Sequence, residues 1–224
     1  MKYLHNYIAV MALMQAGWAA AGPSADQSAS LNMDASIQEL QQEWAVVKYQ
    51  TAKDRQDAAF TLLEAKAESA VQAYPQAAEP LVWEAIILST HAGVSGGLGA
   101  LSKVKQARVL LEKAASIEPN ALHGSIYTSL GSLYYQVPGW PIGFGDDKKA
   151  EQYLKQALTQ NPDGIDQNYF YGDFLRDQGR YKEAVTYLTK AINAAPRPHR
   201  ELADQGRREE AKHVLAMVEA KLAK

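Results

Sequence analysis

The sequence contains no cysteine among its 224 residues. This absence excludes disulfides, thiolate nucleophiles, thiolate zinc ligands and a lipid-modified N-terminal cysteine. An excess of charge of one sign is missing too, because the formal net charge is only −2 and the isoelectric point is near 6.2. Proteins whose main partner is nucleic acid or anionic lipid usually carry a basic surface. We therefore expect neither partner.

Long hydrophobic runs are also missing. The apolar stretch near the N-terminus, Ile8 to Met14, is far shorter than the ~20 residues that a membrane-spanning helix needs. It follows Lys2 and precedes the small residues Ala19–Ala21, an order typical of a secretory signal peptide. We therefore predict a cleavable signal over residues 1–22, a periplasmic protein and no membrane insertion after cleavage. The alternative is a disordered or helical N-terminus on a cytoplasmic protein.

The segment after the predicted signal is rich in serine, alanine and aspartate. This composition predicts a flexible leader over residues 23–35. Ordered structure is expected from Ser36, which has the spacing of a capping box with Glu39. Apolar residues then follow a helical stripe as far as Tyr74. One long helix and two helices with a break near Asp54 are both compatible with this stripe, and we favour the break.

One four-residue spacing occurs three times in the chain. Alanine, leucine, alanine and proline follow one another at gaps of four, three and five residues: Ala107, Leu111, Ala114, Pro119; Ala150, Leu154, Ala157, Pro162; and Ala184, Leu188, Ala191, Pro196. The alanines indicate that two antiparallel helices approach closely, the leucines are expected to fill the groove between neighbouring repeats, and the proline ends the second helix. One such pair cannot bury its apolar face alone, so a stack of pairs is predicted.

This spacing resembles the second helix of a tetratricopeptide repeat. The closing prolines Pro162 and Pro196 are 34 residues apart, which is the period of that family. The resemblance implies an all-α fold, a right-handed superhelix of antiparallel helix hairpins with N- and C-terminal capping helices. It implies one domain over residues 36–224. Its repeats lie at about 80–119, 121–162 and 165–198, with a cap at 206–222. In the first repeat Ile87 stands where a small residue is usual. In the third, Asp166 is predicted to cap the first helix and Gly179 to make the tight turn into the second.

Two segments lengthen their repeats beyond the ordinary period. The glycine-rich residues 92–102 predict a loop between helices. Residues 136–146 contain two prolines and place Trp140 and Phe144 in an apolar loop. Such a loop either folds back to plug the solenoid or forms a wall of a binding site, and the two roles are compatible. The following Asp146 predicts a helix N-cap in preference to a cation site.

Sequence motifs that carry chemistry are scarce. The chain has no G-x-S-x-G sequence, no phosphate loop, and five histidines without metal-ligand spacing. The glycine-rich segment lacks the preceding strand that a dinucleotide loop requires. We therefore predict no catalytic residue, no metal site, no cofactor and no enzymatic activity.

The resemblance to tetratricopeptide repeats implies a binding surface on the concave face, which the first helix of each repeat forms. The residues predicted to bind a ligand or partner are Glu84, His91, Thr128, Tyr135, Trp140, Phe144, Tyr169, Asp173 and Arg176. A mixed polar and aromatic groove suits a peptide or a small amphipathic ligand better than a highly charged partner.

A narrower group is also similar to this chain. The signal, the inserted loops and residues 138–158, "PGWPIGFGDDKKAEQYLKQAL", resemble the periplasmic T components of TRAP-type solute transporters over about 80–195. Those proteins are often lipoproteins, whereas this chain has no cysteine to lipidate. We predict a non-catalytic periplasmic scaffold that binds a partner protein or peptide on its concave face. The alternative is a transporter-associated binder of a small hydrophobic or organic-acid ligand.

Overall fold

The computed structural model describes residues 25–224, so the predicted signal over residues 1–22 lies outside the described range. Within that range the backbone forms nine α-helices, and no strand beyond one isolated bridge between Gly139 and Gly145. The predicted all-α class is therefore confirmed. The helices are α1 (Ala25–Tyr49), α2 (Lys53–Ala73), α3 (Ala78–Ser95), α4 (Gly97–Ile117), α5 (Ser125–Gln136), α6 (Asp147–Gln160), α7 (Ile165–Asp177), α8 (Tyr181–Asn193) and α9 (Glu201–Leu222).

Three helix pairs form the centre of the molecule. They are α3 with α4, α5 with α6, and α7 with α8, and the first helices α3, α5 and α7 contact one another in turn. Of the predicted helix turns, Gly179 between α7 and α8 has a left-handed φ of 70°, as a tight turn requires. The stacked hairpins predicted from the repeated spacing are therefore present.

The repeated alanines and leucines lie inside these pairs. Each has a fractional exposure of 0%: Ala107, Leu111, Ala114, Ala150, Leu154, Ala157, Ala184, Leu188 and Ala191. Glycines of the first helices lie against the leucines, since a Cβ on Gly131 would be 2.6 Å from the Leu154 Cγ. A Cβ on Gly172 would be 2.8 Å from the Leu188 Cγ. The leucine thus packs on the first helix of its own repeat, where only glycine leaves room for it, and not only between neighbouring repeats as expected.

The N-terminal part differs from the prediction. Helix α1 runs from Ala25 to Tyr49, so the described part of the predicted leader, residues 25–35, is helical, and Ser36 lies inside α1 instead of capping it. Residues 25–35 contain neither glycine nor proline, and nothing in them stops a helix. The favoured break exists but lies at residues 50–52. There the Gln56 amide donates hydrogen bonds to the backbone carbonyls of Val47, Lys48 and Thr51, at 3.2, 3.0 and 3.2 Å, which satisfies the free end of α1.

The glycine-rich loop predicted at 92–102 is also wrong. Helix α3 continues to Ser95 and α4 begins at Gly97, so only Gly96 joins them. Gly96 and Gly97 have left-handed φ angles of 62° and 66°, which reverse the chain within two residues. The remaining glycines of the segment are helical, and the segment therefore adds helix length where a loop was expected.

Helix starts were predicted with mixed success. The Asp146 carboxylate accepts hydrogen bonds from the backbone N–H groups of Lys148 and Lys149 at 3.0 and 3.1 Å, so the predicted cap of α6 is confirmed. Helix α7 instead follows Gly164, and Asp166, expected as its cap, lies within the first turn. The C-terminal helix begins at Glu201, earlier than the predicted cap at 206–222.

The first and last helices, α1 and α9, contact each other across the concave side of the stack. Helix α9 packs on α7 and α8, and it also contacts α1. The Lys48 Nζ lies 2.9 Å from a Glu210 carboxylate oxygen, and the Tyr49 ring covers Gly206 so closely that a Cβ there would not fit. A second core, which includes Trp44, Phe60 and Trp83, joins α1 and α2 to α3. No helix in the described range combines the length and the apolarity that a membrane crossing requires.

Candidate ligand-binding cavity

A cavity of about 470 Å³ lies on the concave face, between α1 and α2 on one side and α3, α5, α7 and α9 on the other. Ligand pockets in proteins typically measure roughly 300–1,000 Å³. The cavity exists because α1 reaches α9 and encloses a surface that would otherwise be an open groove.

Aromatic rings form much of the wall. Trp44, Phe60, Trp83 and Phe170 all line the cavity. The Trp44 and Trp83 rings meet edge to face with centroids 6.1 Å apart, and the Trp44 Nε1 donates a 3.0 Å hydrogen bond to the Thr90 hydroxyl. This wall offers a large apolar contact surface to a ligand.

Hydroxyl groups form a second wall. The lining residues of this kind are Ser89, Thr90, Ser125, Thr128, Ser129 and Ser132. Several donate their proton to a carbonyl of their own helix, as Thr128 does to Gly124 at 3.0 Å and Thr90 does to Ile86 at 2.8 Å. These oxygens keep free lone pairs, so the wall is polar without being charged.

Basic residues collect where α7 and α9 begin. Arg197 Nη1 and Arg207 Nε each lie 2.7 Å from a different oxygen of the Asp166 carboxylate. Burial opposes ionisation of Asp166, but the charges of Arg197, Arg207 and Arg200 outweigh it and hold the carboxyl pKa far below its usual range. Arg207 also lies over the Tyr169 and Phe170 rings, at 4.6 and 4.7 Å.

Arg200, unlike Arg197 and Arg207, has no carboxylate partner in the described range. Within residues 25–224 it forms no ion pair, and its buried Nε has no hydrogen-bond partner. Its guanidinium lies 5.1 Å from the centre of the Trp83 ring, whose buried Nε1 also lacks a partner in the same range. Burial and the neighbouring Arg197 charge lower the pKa of Arg200 to about 10.

Lys48 reaches the cavity from the opposite side. Its ammonium group lies 5.2 Å from the Trp44 ring centre and 5.0 Å from that of Tyr49, and it pairs with Glu210. Burial and the Arg207 charge lower the pKa of Lys48 to about 8. The described residues contain no cluster of histidine, aspartate and glutamate arranged to hold a metal ion.

Comparison with known proteins identifies the repeat. The tetratricopeptide repeat family model matches residues 142–203, which cover α6, α7, α8 and the start of α9. Residues 142–203 of this chain therefore contain a tetratricopeptide repeat. Tetratricopeptide repeats generally mediate contacts between proteins, and members of the family are generally non-catalytic scaffolds.

Two solved structures are similar to this chain. TTC0263, a thermophilic tetratricopeptide-repeat protein of Thermus thermophilus, is 20% identical, with 69% of this chain and 91% of that chain covered and a TM-score of 0.38. The pilF protein of Pseudomonas aeruginosa is 15% identical, with 87% and 92% covered and a TM-score of 0.36. No curated protein matches the chain.

Of the residues predicted to form the binding surface of these repeats, Thr128 and Tyr169 line the cavity. Thr128 lies on the hydroxyl wall of α5, and Tyr169 lies beneath Arg207 on α7. The other seven predicted residues do not line it: Glu84, His91, Tyr135, Trp140, Phe144, Asp173 and Arg176. These seven residues therefore lie outside this cavity, and their role in binding stays a prediction.

Two of these seven lie behind the cavity wall, between neighbouring helices. His91 is 2% exposed, with Nδ1 2.7 Å from Glu64 and Nε2 2.9 Å from Asp57, both on α2. Glu84 is buried against α4, where it accepts a 3.3 Å hydrogen bond from Gln106, and burial raises its carboxyl pKa. Both side chains bind partners within the scaffold and present no group to the cavity.

The register of α3 explains why Glu84 and His91 lie outside the cavity. Its cavity-lining positions include Trp83, Ile86 and Thr90, which are offset from the predicted pair. The alignment placed Ile87 at the small position of the helix crossing, but Ile87 packs with α1 and α2. Ala85 instead belongs to the core shared with α4. An offset of one residue along the sequence rotates the side chain by about 100° around the helix axis. This rotation is enough to move a residue predicted to face the cavity into a contact between helices.

The apolar loop between α5 and α6 separates its two aromatic residues. Phe144 packs edge to face on Tyr134, with centroids 5.4 Å apart, and Arg108 covers its other side at 4.5 Å. Trp140 is 90% exposed and Ile142 is 66% exposed. Phe144 therefore anchors the loop on the scaffold, whereas Trp140 is exposed and does not line the cavity.

Sequence reasoning missed the contribution of the terminal helices. Trp44, Lys48 and Phe60 come from α1 and α2, and Arg200 and Arg207 come from the start of α9. The basic composition of residues 195–200, "APRPHR", is the signal that was present. It has no periodicity, so no pattern assigned it to the concave face.

Proposed function

We propose that this protein is a non-catalytic periplasmic binding protein that holds a small amphipathic ligand in its central cavity. The closure of the concave face by α1 and α9 carries this proposal. The Lys48–Glu210 ion pair and the Tyr49–Gly206 contact span the groove. A partner helix or folded domain would have to separate these contacts before it reached the first helices, whereas a small molecule would not.

The cavity lining supports the same class of ligand. One wall is aromatic, the other carries hydroxyls, and charged groups lie at one end. An amphipathic molecule would match each of these regions, whereas a purely apolar one would leave the charged groups without partners. The order of basic, apolar and small residues at the N-terminus supports a periplasmic location. The resemblance to TRAP-type T components makes transporter association the accompanying hypothesis.

Binding of N-phenyl-1-naphthylamine, a neutral aromatic probe whose fluorescence rises in apolar surroundings, tests the proposal. Ser129 lines the cavity, and Ser129→Phe places a ring in it. We expect saturable binding to the full chain and a loss of about tenfold in affinity in this variant. The matched control is Ser102→Phe, at an exposed position on α4. Binding that Ser129→Phe leaves unchanged would contradict the proposal.

A protein partner is the second candidate, and a specific observation favours it. Trp140 and Ile142 form an exposed apolar tip on the loop between α5 and α6. Tryptophan is among the residues that most often dominate protein interfaces. We expect Trp140→Ala to lose a partner that the wild-type chain retains from a periplasmic extract, with unchanged helical circular dichroism. Leu62→Ala, which truncates another exposed apolar residue on α2, is the control.

A further inference from the structure

We infer that the ligand of this cavity is an organic anion, whose acidic group binds at Arg200 and Trp83 and whose apolar body lies along the aromatic wall. This inference rests on the proposed function, because it names the chemical class of the ligand in the same cavity. It is carried by the charge balance of the lining, by the unpaired state of Arg200 and by two buried donors without partners.

The charge balance of the lining favours an anion. The lining contains five basic residues, Lys48, Lys53, Arg197, Arg200 and Arg207, but only two acidic ones, Asp166 and Glu210. The chain as a whole has a net charge of −2, so the cavity has the opposite sign to the protein. A low-dielectric cavity with an excess of one charge attracts ligands of the other.

The acidic groups at this end are already engaged. Asp166 binds Arg197 and Arg207, and Glu210 binds Arg207 and Lys48. The buried Asp204 forms a further pair with Arg197, at 2.6 Å. These contacts neutralise the other cations around Arg200 but leave none of the carboxylates for Arg200 itself.

Arg200 and Trp83 then present two donors with no acceptor. The Arg200 Nε and the Trp83 Nε1 are both buried without a hydrogen-bond partner in the described range, and the two side chains stack at 5.1 Å. Buried polar groups in proteins are nearly always hydrogen-bonded. An oxyanion would satisfy donors of this kind and compensate the arginine charge, whereas a cation or a neutral hydrocarbon would not.

The lining residues of α3 offer a surface for the apolar part of the ligand next to this end of the cavity. Trp83 lies in the first half of α3, and Ile86 and Thr90 follow along the same lining face. Trp44 covers this stretch from α1, since its ring contacts that of Trp83 and its Nε1 binds Thr90. A ligand held by its acid at Arg200 would therefore extend its apolar part over these residues. The hydroxyl wall of α5 would lie on its other side.

Two fluorescent probes with the same aromatic body separate this inference from the proposed function. N-phenyl-1-naphthylamine is neutral, and 1-anilinonaphthalene-8-sulfonate adds a single sulfonate. We expect the full chain to bind the sulfonate about tenfold more tightly than the neutral probe. Arg200→Gln should remove this advantage while affinity for the neutral probe stays within about twofold. Added salt should weaken the binding of the sulfonate probe and leave the binding of the neutral probe unchanged.

The control is Lys182→Gln, which removes one positive charge from an exposed position on α8. It should leave both affinities unchanged. Trp83→Phe is a second test, because it keeps a ring against Arg200 and removes only the N–H donor. We expect it to weaken binding of the sulfonate more than binding of the neutral probe.

The outcomes are distinguishable. If both probes bind equally, or if Arg200→Gln weakens both to the same extent, the anion site is wrong and the ligand cavity stands. If neither probe saturates, the proposed function and the anion site both fall. Circular dichroism of each variant shows whether the fold is intact, and we expect Arg200→Gln to fold because Arg200 pairs with no carboxylate in the described range.

Discussion

The Tyr135 hydroxyl donates a 2.8 Å hydrogen bond to a carboxylate oxygen of Asp173, which joins α5 of the second repeat to α7 of the third. Asp173 also pairs with Arg176 at 2.8 Å. Burial raises the pKa of both the tyrosine and the aspartate. All three residues were predicted to bind a ligand, and in the structure they bind one another.

Tyr135→Phe tests this structural role. The change removes the donor and leaves a mostly buried carboxylate with one partner fewer, so we expect the free energy of unfolding to fall by about 1–3 kcal/mol. Urea denaturation followed by circular dichroism measures it. Affinity for N-phenyl-1-naphthylamine should not change. A variant with full stability but weaker probe binding would restore Tyr135 to the ligand site.

Asp166 is the centre of the basic end of the cavity. Asp166→Asn removes the charge shared by Arg197 and Arg207, and breaking a buried pair typically costs about 3–5 kcal/mol. We expect a loss of that order in urea denaturation at pH 7. Asp177→Asn, at an exposed position of the same helix, should change stability by less than about 0.5 kcal/mol.

The stabilisation that Asp166 provides should depend on pH. The folded pKa of Asp166 is lowered, so its stabilisation is fully present above the unfolded pKa of about 4. It is lost as the pH falls towards the folded value. The stability difference between the wild type and Asp166→Asn should therefore shrink below about pH 4. A difference that stays constant at acidic pH would contradict the lowered pKa.

Lys48 should change stability in the same direction with pH as Asp166 does, but in an alkaline window and as a penalty. Its folded pKa of about 8 lies below the ordinary value of 10.5, so the unfolded chain binds more protons between these values. The contribution of Lys48 to the free energy of unfolding therefore rises with pH across that window and is unfavourable below it.

Lys48→Met removes this penalty. Replacing a buried ion-pair member by an apolar residue of similar length is often neutral or stabilising by about 1–4 kcal/mol, and Glu210 keeps its contact with Arg207. We expect the variant to be at least as stable as the wild type at pH 7. The gap should close between pH 8 and 10.5. Thermal denaturation at several pH values measures this, and a less stable variant at pH 7 would show that the Glu210 pair dominates.

Gly172 marks the close approach within the third repeat. An added Cβ would lie 2.8 Å from the Leu188 Cγ, so Gly172→Ala should destabilise the fold by about 1–3 kcal/mol. Gly93→Ala is the control, because that helical glycine has nothing within 4 Å of its Cβ position. It should stabilise α3 by up to about 1 kcal/mol. Combining Gly172→Ala with Leu188→Ala measures the coupling between the two positions.

Local features of the fold were predictable because a few neighbouring residues determine them. The Asp146 cap depends on backbone groups two and three residues away. The turn at Gly179 depends on its own φ angle. By contrast, the start of α1 at Ala25 was missed because a composition rich in serine and alanine is compatible with both a helix and a flexible segment.

The candidate site was harder to predict than the fold. The repeat period assigns Thr128 and Tyr169 to the concave face of their own helices, and both line the cavity. His91 and Glu84 were misplaced because the alignment of α3 rested on Ile87, a residue that packs elsewhere. Where the repeat departs from its consensus, its period no longer determines which side faces the cavity.

The sequence by itself determined the helical pairs, since the spacing of Ala184 and Leu188 defines a face of one helix and needs no distant partner. Only the tertiary structure decided that Lys48 meets Glu210 and that Arg200 stacks on Trp83. These contacts join residues more than a hundred positions apart. They depend on the rotation between successive repeats, which adds up along the stack. Every helix crossing contributes to this rotation, so it cannot be inferred from any local sequence pattern.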